Sequence, residues 1–174
     1  QGDNQIWNVA QGTDDAMYFA NNYNLLRYDG VKWEKYSLPN KTIIRSIMVD
    51  GDRIYSGSYK EFGYWFRKGG KMQYVSLSKG NKVFDDKNNE EIWKIIKFKG
   101  QIYFQSFNSL FLFDGKVIKQ VKFPFLASYC FVVDNQLLIA SVEKGIYKMN
   151  QGIIQKVNEW SILENNVIHA IQKH

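Results

Sequence analysis

Residues that could carry out catalysis are sparse and poorly placed for it. The two histidines, His169 and His174, stand at the C-terminal end, so the body of the chain offers none for a nucleophilic triad or a zinc site. Cys130, the single cysteine, lies in the apolar run Tyr129-Cys130-Phe131-Val132-Val133, where a buried inert thiol is expected and no internal disulfide can form. Carboxylates occur side by side as Asp14-Asp15, Asp85-Asp86 and Glu90-Glu91. Adjacent acids on turns read as solvent-facing, whereas glycoside hydrolysis needs two carboxylates opposed across a pocket. No glycine-rich phosphate loop is present. These residues predict neither an enzyme nor a cofactor or metal site.

The residue types that remain suit recognition rather than reaction. Aromatics make up 16% of the chain, and many recur beside Asn, Glu or Arg. Lys and Arg number 23 against 17 acids, a net charge of +6, which raises the question of nucleic acid. The lysines are spread over the whole chain, alternate with apolar residues and form no basic stripe, so direct nucleic-acid binding is not expected. Lysine is also the usual guard of exposed strand edges.

What must position these residues is a repeat. Four copies with an apolar opening begin at Ile6, Ile44, Ile92 and Tyr129, and a fifth opening, IHAI, begins at Ile168. A period of roughly forty residues points to four-stranded propeller blades or another repeat array rather than an ordinary mixed domain. In the first copy the strands read Ile6 to Ala10, Ala16 to Ala20, Leu25 to Tyr28 and Val31 to Tyr36, with Asp29-Gly30 as a tight turn between the last two. Asp114-Gly115, Gly69-Gly70 and Gln151-Gly152 fill the same turn in the other copies, and no helix is expected. The predicted fold is all-β: a β-propeller fragment of four four-stranded antiparallel blades, at about 6–39, 44–78, 92–124 and 129–160, plus the first strand of a fifth from 168. These blades either close on themselves or form an arc cut from a larger ring. The fifth opening favours the arc, whose two bare end faces predict self-association. The polar stretch Ser78 to Glu90 reads as a solvated insertion or as a flap over one end. No apolar stretch approaches a membrane span and no charged-then-apolar leader opens the chain, so membrane attachment is expected only through regions outside it.

The phrase YFANNYNLLRYDGVKWEKYSLP from Tyr18 resembles the repeat of the two-component regulator propellers, and GSYKEFGYW from Gly57 and IYFQSFNSLFLFDGK from Ile102 share the likeness. The fourth copy departs most, with Asn150-Gln151-Gly152 in place of Tyr-Asp-Gly. The resemblance implies a periplasmic sensor region of a Bacteroidetes hybrid two-component or helix-turn-helix regulator, which recognises a ligand, often a glycan fragment, and signals through a membrane-spanning chain. It supplies no catalytic residues, so the binding positions come from propeller geometry. With the first strand innermost, the second-to-third loops share one face, which would gather Asn22 and Tyr23, Tyr59 and Glu61, Phe107 and Asn108, and Glu143. Trp7, Arg45 and Trp93 occupy equivalent first-strand positions near the channel. Aromatic platforms beside Asn, Glu and Arg suit a small carbohydrate. The alternatives are that Trp7 and Trp93 are inter-blade core and the Asn residues stabilise turns, and that the propeller is a protein-interaction scaffold for dimerisation or partner docking.

Overall fold

The structure is a computed structural model that describes residues 5–80, 84, 89–150 and 152–171. It contains four antiparallel sheets, each with its strands in chain order. The first comprises β1 (Ile6–Gln11), β2 (Met17–Asn21), β3 (Leu25–Tyr28) and β4 (Trp33–Tyr36). The second comprises β5 (Ile44–Asp50), β6 (Arg53–Ser58), β7 (Glu61–Lys68) and β8 (Lys71–Ser76). The third holds β9 (Lys94–Phe98), β10 (Gln101–Gln105), β11 (Ser109–Phe113) and β12 (Ile118–Lys122). The fourth holds β13 (Ala127–Val133), β14 (Gln136–Ser141), β15 (Ile146–Asn150) and β16 (Ile153–Lys156). The chain divides into two compact units, Gln1–Ile95 and Ile96–His174.

Strand starts depart from the sequence reading where side chains capture backbone donors. The Asp29 carboxylate accepts the N–H groups of Val31 and Lys32 at 3.0 and 2.8 Å, so the turn runs on and β4 begins at Trp33 rather than Val31. Asp114 does the same for Lys116 and Val117. The glycine of each turn is needed, since Gly30 and Gly115 have φ of +95° and +97°, where a side chain would be strained. The Gln151 half of the fourth turn lies outside the described residues.

Three inner strands share an irregularity. Ile6 pairs with Asn21, Ile44 with Ser58 and Ala127 with Ser141, and in each strand the register then slips before the next pair. Ala127, not Tyr129, is therefore the counterpart of Ile6 and Ile44, because the small residue carries the pairing and the aromatic follows it. In the third sheet Ile92 is buried ahead of the strand, which starts at Lys94. Such bulges re-aim the side chain of the extra residue, here Trp7 and Arg45.

Within the first unit the two sheets pack through Ala16, Tyr18, Ala20, Leu25, Leu38, Ile44, Ile47, Ile54 and Trp65. The approach is close. A Cβ on Gly57 would lie 2.4 Å from Cγ2 of Ile92 and 2.7 Å from Oγ of Ser46, whose hydroxyl donates to the Ile92 carbonyl at 2.9 Å. At the rim Arg27, itself 11% exposed, bonds Asp14, Asp29 and Glu34 at 2.8, 3.2 and 2.9 Å, and Glu34 also pairs with Arg67 of the second sheet. Burial alone would raise the Asp14 carboxyl, but hydrogen bonds from Arg27 and Tyr18 and the charge of Arg27 outweigh it and hold it below its ordinary 3.8. Glu34 is likewise held low, burial being outweighed by Tyr36 and Arg67.

Within the second unit, the third and fourth sheets pack through residues that include Phe98, Leu110, Phe123, Ala127, Cys130, Leu137 and Ile139. The buried Gln105 amide accepts from the Cys130 N–H at 2.8 Å and donates to the Ser128 carbonyl at 3.1 Å. Cys130 is fully buried, as its apolar run implied.

After β16 the chain forms a 3-10 helix, Asn158–Leu163, that the sequence reading did not anticipate. The fifth strand does not form among the described residues. Val167 to Ile171 carry no ladder. They lie against β13 instead, where Ser128 Oγ donates to the Ile168 carbonyl at 3.4 Å and the His169 ring approaches Tyr129. Val157, Leu163, Ile168 and Ile171 thereby pack on the cluster of Phe131, Leu138, Ala140 and Ile146, partly covering a face expected to be bare.

Two outcomes are expected from this packing. Gly57→Ala should lower stability by about 1–3 kcal/mol, because backbone must move to admit the methyl group; an unchanged melting midpoint would contradict it. The depressed carboxylates contribute stability that is full above their ordinary values of 3.8 and 4.5 and is lost as pH falls through the lowered ones. Arg27→Met leaves Asp14 and Asp29 without that cation, so it should lose stability at neutral pH and regain part of it in acid. Melting curves of parent and variant that run parallel in pH would contradict this.

Candidate functional site

The slipped register of β1 and β5 places Trp7 and Arg45 at corresponding points, and Trp93 stands one residue before β9. The three side chains meet. The Arg45 guanidinium lies 3.9 Å from the centre of the Trp7 ring and 5.0 Å from that of Trp93. The two indoles are edge to face, with ring centres 6.5 Å apart. A guanidinium against aromatic faces gains cation–π attraction and is held in one orientation.

Around this cluster the polar groups are ordered by neighbours. Trp7 Nε1 donates to Asn22 Oδ1 at 2.6 Å, which makes the buried Asn22 a positioning group for the indole. Arg45 Nε donates to Glu91 Oε2 at 3.0 Å. Glu91 belongs to a connector strapped to the loop between β6 and β7: Lys60 N–H donates to the Glu90 carbonyl at 2.7 Å, and Ile92 N–H to the Ser58 carbonyl at 3.1 Å. Tyr59 and Glu91 form an isolated antiparallel bridge, and Tyr59 Oη donates to Asn89 Oδ1 at 3.0 Å. Tyr59 keeps an exposed ring, with Lys60 Nζ 5.8 Å from its centre.

Trp7, Arg45, Trp93 and Asn22 therefore form one cluster, with Tyr59 tied to the connector that supplies Glu91. Tyr23 is exposed, and its N–H donates to Asn21 Oδ1 at 3.4 Å, a turn contact. Glu61 points elsewhere. Its carboxylate accepts from Tyr74 Oη at 2.8 Å and Ser76 Oγ at 2.6 Å on the outer strand, and burial together with the Glu61 charge pushes the Tyr74 hydroxyl up. In the second unit Phe107 is exposed, Asn108 donates its N–H to Ser106 Oγ, and Glu143 is exposed with its carbonyl accepting from Asn165.

Glu91 and Asn89 were not singled out by the sequence as site residues. Adjacent acids had been read as solvent-facing, yet Glu90 is 2% exposed and Glu91 is paired with Arg45. The available signal was their place directly ahead of Ile92, on the approach to an inner strand. Asp14 is exposed, as its place on a turn implied, and still pairs with Arg27. Asp85 and Asp86 lie outside the described residues, with most of the insertion. Among the described residues no group of three or more His, Cys, Asp or Glu side chains could hold a metal ion, and no helix is long and apolar enough to cross a membrane.

The sequence matches no protein-family model and no curated protein. Its fold is similar to that of solved structures. One is the extracellular domain assigned to a hybrid two-component system of B. thetaiotaomicron, with TM-score 0.68 and 19% identity over 91% of this chain and 24% of that one. A second such domain from the same organism gives TM-score 0.65 and 16% identity over 91% of this chain and 23% of that one. The WD40 β-propeller domain of Doa1 gives TM-score 0.69 and 12% identity over 100% of this chain and 59% of that one. The chain thus spans about a quarter of the length of the extracellular domains it matches. It has the β-propeller fold, the one implied by the resemblance of its repeats to the two-component regulator propellers.

Proposed function

We propose that the chain is part of the periplasmic ligand-sensing region of a membrane-spanning signal-transduction or transcriptional regulator, and that it recognises a glycan fragment without turning it over. The observation that carries this reading is the Trp7–Arg45–Trp93 cluster, where two indoles and a guanidinium are held ready by Asn22 and Glu91. Aromatic rings offer apolar faces to sugar C–H groups while the guanidinium donates to oxygens, and loops on a rigid scaffold are the usual place for such sites. The fold shared with extracellular domains of hybrid two-component systems supports the same role. No cofactor and no nucleic acid enters it; attachment to a membrane is through regions outside this chain.

The scaffold reading has its own support. On the first sheet Val9 and Trp33 are exposed, Trp33 by 56%, with Phe19 and Tyr28 against the indole. Self-association through this face belongs to the proposal, and light scattering that gives a monomer at every concentration would remove it.

Sensing is tested by screening the purified chain against an oligosaccharide array and measuring each hit by calorimetry. Trp93→Ala and Tyr59→Ala are each expected to weaken binding about fivefold or more, on the order of 1 kcal/mol for a desolvated aromatic anchor, with the melting midpoint little changed. Equal affinity in both variants would show that this cluster does not bind the sugar. A chain that binds no saccharide would overturn the sensing reading.

A further inference from the structure

Two arginines of the first unit are buried to nearly the same degree and are treated in opposite ways. Arg27, 11% exposed, has Nε and both terminal nitrogens engaged by Asp14, Asp29 and Glu34. Arg45, 13% exposed, bonds through Nε to Glu91, and among the described residues its Nη1 and Nη2 make no hydrogen bond. Burial therefore does not keep acids from Nε and both terminal nitrogens of a guanidinium in this fold; at Arg45 the two terminal nitrogens have no such partner among the described residues.

The indoles do not close it. Rings over a guanidinium satisfy its flat faces and leave the N–H groups of its edge unmet. The Nη edge can receive an acceptor lying in the guanidinium plane. A carboxylate supplies two coplanar oxygens at the spacing of that fork, and its charge strengthens both bonds. A sugar hydroxyl supplies one oxygen and no charge.

We infer that the Trp7–Arg45–Trp93 cluster takes an acidic saccharide, with a uronate carboxylate on the Nη edge of Arg45 and sugar C–H faces against the indoles. This rests on the sensing reading above and narrows its ligand. Glu91 sets the affinity. It is the resident acid of the site, 26% exposed, and it opposes a second carboxylate at the same guanidinium while holding Arg45 in place through Nε. Lys60, beside Tyr59 on the strapped loop, supplies further positive charge.

The test is calorimetry of the purified chain with oligogalacturonides and oligoglucuronates, each beside its methyl ester, which keeps the sugar and removes the charge. The acid is expected to bind at least about tenfold tighter than its ester, the scale of a charge-assisted bidentate pair. Arg45→Lys keeps the charge and loses the fork, so it should weaken the acid about tenfold. Glu91→Gln should tighten the acid severalfold and leave the ester unchanged, which a merely structural Glu91 would not do. Acetate in excess should not displace the oligosaccharide, since it lacks the ring that the indoles hold; displacement would make the site one for simple carboxylates and overturn the inference. Ester and acid of equal affinity, or a Glu91→Gln chain that binds the acid more weakly, would overturn it as well while leaving glycan sensing intact. If neutral saccharides bind and acidic ones do not, the ligand class is wrong; if none binds, the sensing reading falls with it. Should the variants fail to fold, the acid-to-ester ratio of the parent chain decides alone.

Discussion

Each sheet of this chain can bury its apolar faces only by lying against another element, and how closely it can do so is set by the last residues of its second strand. In the first unit, Ala20 is fully buried and Gly57 leaves no room for even a methyl group beside Ile92 and Ser46. In the fourth sheet Ala140 holds the matching position, paired with Tyr129 as Ala20 is with Asn8. The third sheet solves the same problem with a side chain. Gln105 there meets the backbone of β13 through both ends of its amide, replacing contact between small residues by two hydrogen bonds. Close approach in turn fixes the slipped register at the start of the inner strands, and that slip is what presents Trp7 and Arg45.

Electrostatics then separates structure from function. A charge taken from water is costly unless its partners satisfy it, and breaking such a set by removing one member costs more than the set contributes. Arg27 is engaged through Nε and both terminal nitrogens and joins the rims of two sheets through Glu34 and Arg67. Arg45 is stabilised on its face by indoles and on one edge by Glu91, and its other edge makes no hydrogen bond among the described residues. The connector that brings Glu91 is itself held by backbone bonds to Ser58 and Lys60, so the acid is positioned rather than free to drift.

Much of this was legible in the chain. The recurrence of Tyr18, Tyr55 and Tyr103 within second strands, and of Asp-Gly or Gly-Gly before fourth strands, was enough to order sixteen strands into four sheets. The equivalence of Trp7, Arg45 and Trp93 followed from the same alignment. What failed did so where side chains act on backbone or on distant charges. An Asp that captures two N–H groups delays a strand, a bulge shifts Tyr129 off the place held by Ile44, and the fifth opening lies against β13 instead of forming a strand. Glu61 was assigned to the loop face because it follows Tyr59 and Lys60, but antiparallel pairing turns it toward Tyr74 and Ser76. Glu91 was invisible because its partner, Arg45, is far away in sequence and only the folded connector brings them together.

The most direct test of the account is a titration of the chain with an oligogalacturonide followed by proton–nitrogen NMR of its indole and guanidinium groups. The chain has five tryptophans, so the indole signals resolve the location of binding without mutation. Trp7 and Trp93 Nε1–H and the Arg45 N–H signals are expected to move together and saturate at one concentration, while Trp33, Trp65 and Trp160 stay in place. Saturable shifts confined to Trp33 or Trp160, with Trp7, Trp93 and Arg45 unmoved, would contradict the placement of the site.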